Sequence, residues 1–256
     1  MYSIWHTQRN SCVMQNVMGN LMRQLLTTIF LLTFGFAFGQ DFSYPSINNQ
    51  GKDINSFIPN GWTLLDSTQG DLNKDNHNDF VLIIQHKDRV TIIKNDFDNN
   101  DTVLAQPRIL IILFHNQTAN QYQLVEQSNS FILNHDNPNM EEPYQDISIS
   151  NGVLTVNFLI FMNMGGWGMS NNSYKFRYQD NQFVLIGAYY NSVNRGSGET
   201  DYRSYNFLTK KVKVATGTIE NDKQKIVWRT IDLKELKTIK TFKQPFTWEV
   251  EKDYYL

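Results

Sequence analysis

The sequence predicts a mainly β fold, with antiparallel sheets joined by hairpins into a sandwich or a partial propeller-like array and at most one or two short helices. Three observations carry this. Short runs rich in Val, Ile, Phe and Tyr recur between residues 62 and 189, and Asn, Asp and Gly separate them. No segment holds the roughly ten to fifteen residues of helical period that a parallel crossover requires.

In chain order, residues 42–59 are polar, with an amphipathic fragment at Ile54, Phe57 and Ile58 that fits one helical turn ended by Pro59. Strand-like runs follow at 62–65, 80–85, 90–94, 108–114, 121–126, 146–150, 153–161, 173–178 and 183–189. Asn151-Gly152 lies between two alternating runs, the strongest short-range hairpin signal because both residues tolerate positive φ. Asp180-Asn181 does the same between Tyr178 and Phe183. Late in the chain, Leu233, Leu236 and Ile239 either line a short helix beginning at Asp232 or belong to an extended segment docked on the sheet. No long Pro- or Ser-rich linker divides the chain, so residues 40–256 are read as one β-rich domain.

Residues 1–39 are read as a leader. Arg23 opens a basic region, residues 25–38 form an apolar run, and Ala37-Phe38-Gly39 places small residues where a signal peptidase reads. The run is shorter than the roughly 20 residues that cross a bilayer, so no membrane span is expected after cleavage. Met22 directly precedes Arg23, which places the expected translation start there. Taking 39 residues from 256 leaves 217, and the formal charge falls from −2 to −4 because Arg9 and Arg23 leave with the leader. Cys12, the only cysteine, leaves too, and no disulfide or thiolate metal site remains. The expected location is periplasmic or extracellular. An acidic chain whose late Lys and Arg residues are dispersed argues against a nucleic-acid partner.

The most specific motif is Gly70-Asp71-Leu72-Asn73-Lys74-Asp75-Asn76-His77-Asn78-Asp79. Oxygen-bearing side chains fall at loop positions 1, 3, 5 and 9, the spacing with which a tight loop surrounds a calcium ion that takes about six to eight oxygens. Asp71, Asn73, Asp75 and Asp79 are the expected side-chain ligands, and His77 the carbonyl donor with its imidazole turned away. Three nearby carboxylates repel without a cation. Asn76 sits where a left-handed residue is wanted. The helix-loop-helix form of such a site needs Glu at position 12, which here is Leu82, and an apolar strand follows instead. Residues 62–85 therefore resemble one repeat of the FG-GAP and VCBS type, in which a Gly-Asp-x-Asn-x-Asp-x-x-x-Asp loop joins strands of a β-sheet blade in exported proteins. The competing reading of the same residues is an Asx-rich turn without metal. A second acidic stretch, residues 95–101, lacks this spacing and reads as a solvated hairpin loop.

No catalytic constellation is legible. His77, His86, His115 and His135 are not spaced as a helical zinc site, and Gly168-Met169-Ser170 and Gly196-Ser197-Gly198 fail as nucleophile elbows. Glu141 and Glu142 read as exposed loop charge. The segment 162–169 sets Trp167 among three glycines; such a loop presents the indole outward or folds it back as a plug on the core, and the plug is the expected state. Trp167 is a candidate partner contact if it faces out. These readings favour an exported, non-enzymatic, calcium-stabilised binding or assembly module for an unidentified protein or glycan partner. The alternatives are an envelope hydrolase with dispersed carboxylates and an inhibitor or immunity-type protein.

Overall fold

The computed structural model describes residues 42–96 and 99–256, and Phe42–Leu256 gather into one compact unit. The leader, Met22, Cys12 and the apolar run at 25–38 lie outside the described residues, as do Phe97 and Asp98 of the second acidic stretch.

The fold is mainly β and antiparallel throughout. One sheet has the order β1 (Gln50–Gly51), β7 (Gln121–Ser128), β6 (Arg108–Asn116), β3 (Asp79–His86) and β2 (Trp62–Gly70). The second is a seven-stranded meander in sequence order: β8 (Tyr144–Ser150), β9 (Val153–Phe161), β10 (Gly168–Gln179), β11 (Gln182–Asn194), β12 (Glu199–Asn206), β13 (Lys211–Thr218) and β14 (Asn221–Thr230). Two small hairpins, β4 (Val90–Asp96) with β5 (Asn99–Ala105) and β15 (Glu249–Glu251) with β16 (Tyr254–Tyr255), complete it. The expected turns form as the residue types require: Asn151 and Gly152, then Asp180 and Asn181, all take positive φ between paired strands.

The larger core lies between the two sheets. Val81, Ile83, Leu110 and Ile112 of the five-stranded sheet meet Leu154, Val156, Phe158, Tyr174 and Phe176 of the meander, with Phe131 and Phe242 between them. The opposite faces of β3 and β6 are buried as well. Leu82, Ile84, Ile109 and Ile111 pack under Ile47, Phe57 and Trp62, so the N-terminal segment covers the sheet's second face. Double-sided burial explains why these two strands are unbroken apolar runs. A 3-10 turn at Ile54–Phe57, capped by Asp53, supplies part of that cover.

Beside β2, the two sheets touch edge to edge. Tyr144 Oη donates to Asp66 Oδ2 at 2.6 Å. Gly70 has no room for a side chain, because a Cβ there would come within 2.6 Å of Ile149 Cγ2. Of the two late alternatives, the extended segment is the one that forms. Ile231 and Leu233 are buried in alternation, Leu185 N donates to Lys237 O, and only α1 (Ile239–Phe242) is helical. Of the second acidic stretch, Asn95 and Asp96 pair with Asn100 and Asn99, and Asp101 pairs with Lys94, so these residues belong to strands.

Candidate functional site

The Asp-rich loop is the β2–β3 connection, and its geometry is that of successive Asx turns. Asp71 Oδ1 accepts from Lys74 N (2.6 Å) and Asp75 N (3.2 Å), and its Oδ2 accepts from Asn76 N (2.9 Å). Asn73 Oδ1 accepts from Asp75 N, and Asn73 Nδ2 donates to Asp75 Oδ2 at 3.0 Å. Asp75 Oδ1 accepts from His77 N at 2.8 Å. Lys74 and Asn76 take positive φ, which lets the chain curl so tightly. The His77 imidazole turns away toward Gln117 Oε1, at 3.1 Å.

Asp79 differs from the other three. Its side chain is fully buried, with Oδ2 accepting from Leu72 N (2.9 Å) and Oδ1 from His115 N (3.1 Å). Burial pushes its carboxyl above the usual range, against the pull of those N–H groups. The loop is thus fastened to β6 and plugged into the main core by Leu72. Among the described residues no three His, Cys, Asp or Glu side chains gather as a metal site. The donor set nevertheless has the chemistry calcium takes: three carboxylates, one amide oxygen and the His77 carbonyl, each with lone pairs beyond the bonds named.

The Trp167 loop lies at the other end of the meander, connecting β9 to β10. The indole is not a core plug: Trp167 is 67 % exposed. The reason is Arg195, in the β11–β12 turn. Its Nη2 donates to Met162 O (2.6 Å) and Gly166 O (2.8 Å), its backbone N donates to Trp167 O (2.8 Å), and its guanidinium lies 4.4 Å over the Phe161 ring. The loop carbonyls are thereby tied to the neighbouring turn, and the indole rests one edge on Gly196, where an added Cβ would come 3.3 Å from Cδ2. In an antiparallel meander the β9–β10, β11–β12 and β13–β14 turns share one end. Met164, Trp167 and Ile219 are all largely exposed there, and Ile219 N donates to Gly198 O. The result is an apolar ridge of hairpin tips. Sequence reading singled out Trp167 but not Arg195, Met164 or Ile219, because no local pattern links the three turns.

β9 separates the two sites. Its first residues follow the Asn151-Gly152 turn, where Gly152 approaches Asp71 O so that an added Cβ would sit 3.5 Å away, and its last residues precede the Trp167 loop. Nine residues of strand span about 30 Å.

Two cavities bear on chemistry. One, about 490 Å³ and open, is lined by Asp232, Glu249 and Glu251. There Glu251 is held by Arg203, Arg229 and Tyr205 Oη, and Glu249 Oε1 accepts from Asp253 N. The other, about 150 Å³, contains Glu142, which is not the free loop charge expected from sequence. Arg108, 4 % exposed, grips it with two bonds of 2.6 and 2.8 Å and also donates to Gln85 Oε1 and Leu133 O. Burial works to raise the Glu142 carboxyl, but the hydrogen bonds and charge of Arg108 outweigh it and hold the group below its usual range. Glu141 accepts from Asn163 Nδ2. His135 bonds Met140 O at 2.7 Å, and the His115 ring lies 5.1 Å from that of Tyr122, tilted by 57°.

No family model matches the chain, and neither curated proteins nor solved structures give a match. Among the described residues no helix is long and apolar enough to cross a membrane.

Proposed function

We propose that this chain is an exported module that works by capture and not by turnover, with calcium bracing the Asp-rich end of its sheet and the hairpin tips at the opposite end meeting the partner. One observation carries the reading: Trp167 is held out to solvent by a loop that Arg195 pins at three carbonyls. A rigid, exposed indole loses little freedom on burial and contributes much area, which is why Trp is enriched at binding hot spots. Met164 and Ile219 widen the same patch. The three side chains are exposed at hairpin tips, and neither cavity described above is lined by them. That shape favours a protein surface over a small substrate and gives the inhibitor or immunity-type reading a specific observation in its support. Asp71, Asn73, Asp75, Asp79 and the His77 carbonyl would hold the calcium ion, whose contribution is to neutralise the loop carboxylates.

Trp167→Ala tests the reading. Immobilised wild-type protein and the variant are compared for what they retain from the native host's envelope and medium. Truncation at a hot spot weakens capture by at least about thirtyfold, corresponding to about 2 kcal/mol, while an exposed residue leaves the melting temperature unchanged. Equal retention by both proteins, or turnover of a polysaccharide, ester or peptide by the purified chain, defeats it.

A further inference from the structure

The last strand of the meander, β14, is an edge, and it is unlike an ordinary edge. Every side chain described on it is exposed, including Ile226 (53 %), Val227 (40 %) and Trp228 (65 %). The ladder to β13 shows which backbone groups are free. Ile231 N donates to Lys210 O at 2.9 Å, and that pair continues the register in which Thr230 faces Lys211 and Trp228 faces Lys213. Hydrogen-bonded pairs alternate along an antiparallel ladder. Arg229, Val227 and Lys225 therefore give their N–H and C=O to β13, and Trp228, Ile226 and Gln224 turn theirs to solvent.

The two faces of the strand differ in charge. Ile226 and Trp228 share one face; Lys225, Val227 and Arg229 share the other, and Lys223 lies in the register shift before Lys225. Arg229 is paired with Glu251 at 3.0 Å, whereas Lys223 and Lys225 have no carboxylate partner among the described residues. Lysines on an edge normally discourage pairing. If a second β14 paired about a two-fold, Lys225 would face Val227 with Ile226 opposite itself, Arg229 with Val227 opposite itself, and Ile231 with Trp228 opposite itself. None of these registers brings a carboxylate to Lys225. A strand with a carboxylate opposite Lys225 and apolar side chains opposite Ile226 and Trp228 does.

We propose that the free edge of β14 is a strand-addition site for an extended segment of another protein in which apolar and acidic residues alternate. The main-chain groups of Ile226 and Trp228 supply the hydrogen bonds, and Lys225 selects the charge. This site is separate from the Trp167 tip, and its failure would leave the capture reading untouched.

The probes are two blocked octapeptides, one alternating valine and glutamate, the other valine and lysine, titrated calorimetrically into the whole protein at low salt. The glutamate peptide binds with one-to-one stoichiometry, and the lysine peptide at least tenfold more weakly. Ile226→Pro removes an edge N–H without touching the β13 ladder, and weakens the glutamate peptide at least tenfold at an unchanged melting temperature. Lys223→Glu with Lys225→Glu reverses the preference between peptides, which keeps the proposal testable if the proline variant folds poorly. No binding, equal binding of the two peptides, or indifference to all three substitutions overturns it. So does a dimer in sedimentation velocity that Ile226→Pro dissolves, since the edge would then belong to a second copy.

Discussion

Replacing Asp79 by alanine separates what its carboxylate does for the fold from what it would do for an ion. With the side chain gone, Leu72 N–H and His115 N–H lose their acceptors at a fully buried position. A stranded buried donor costs about 1–3 kcal/mol, so the pair costs about 2–6. Burial already pushes this carboxyl above its usual range, so removing it also relieves a buried charge and moves the expected loss toward the low end of that range. Asp79→Asn keeps one acceptor oxygen and should lose roughly half as much. Urea unfolding in the presence of chelator measures both. A loss below about 1 kcal/mol for the alanine variant would mean that Asp79 does not fasten the loop. The pH dependence has a defined sign: with the folded-state pKa raised, Asp79's contribution to stability is present at low pH and is lost as pH rises through the folded value.

Three further outcomes are expected. Arg195→Ala frees the Met162 and Gly166 carbonyls near the surface, while the backbone bond to Trp167 O remains, so stability changes by no more than about 1.5 kcal/mol while amide exchange across residues 163–168 accelerates; unchanged exchange would remove Arg195 as the clamp. Gly70→Val drives a side chain into Ile149 and costs about 1–3 kcal/mol, most of it recovered in the double variant with Ile149→Ala; no recovery would show that the two sheets do not touch there. Glu142 has a lowered folded-state pKa, so its contribution is present above the ordinary glutamate range and is lost as pH falls through the folded value; Glu142→Gln should therefore flatten the acid limb of the urea midpoint on the acid side of the ordinary glutamate pKa of about 4.3, and an unaltered limb would count against the Arg108 pairing.

The hairpins at Asn151-Gly152 and Asp180-Asn181 were legible because positive φ is a local demand that few residue types meet. The strands after Tyr189 were not. β12 turns Asp201, Arg203 and Tyr205 inward, where the C-terminal hairpin covers them with Glu251 and Tyr254, so the buried face does not read as apolar. β14 has no buried face among its described side chains, and its lysines read as solvated tail. Leu233, Leu236 and Ile239 suggested a helical period, but the segment is extended and is anchored by Ile231 and Leu233 two residues apart. Trp167 was visible as an oddity, yet its outward pose depends on Arg195, 28 residues away. Glu142 looked like loose charge because its partner, Arg108, lies 34 residues earlier.

Whether the Asp71 to Asp79 loop binds calcium is decided most directly by titrating the ion into the wild-type protein and into Asp75→Ala, with calorimetry and thermal unfolding read together. Asp75 is exposed, so its removal spares the fold while deleting a central carboxylate. Extracellular calcium modules bind at about 0.1–1 mM, and a tenfold excess over such a constant stabilises by about 1.4 kcal/mol, or about 3–6 °C for a domain of this size. The account predicts one site, an upward shift of that order reversed by chelator, and neither effect in Asp75→Ala. Absence of binding heat, with a melting temperature unmoved between chelator and several-millimolar calcium, would leave the loop as a bare chain of Asx turns.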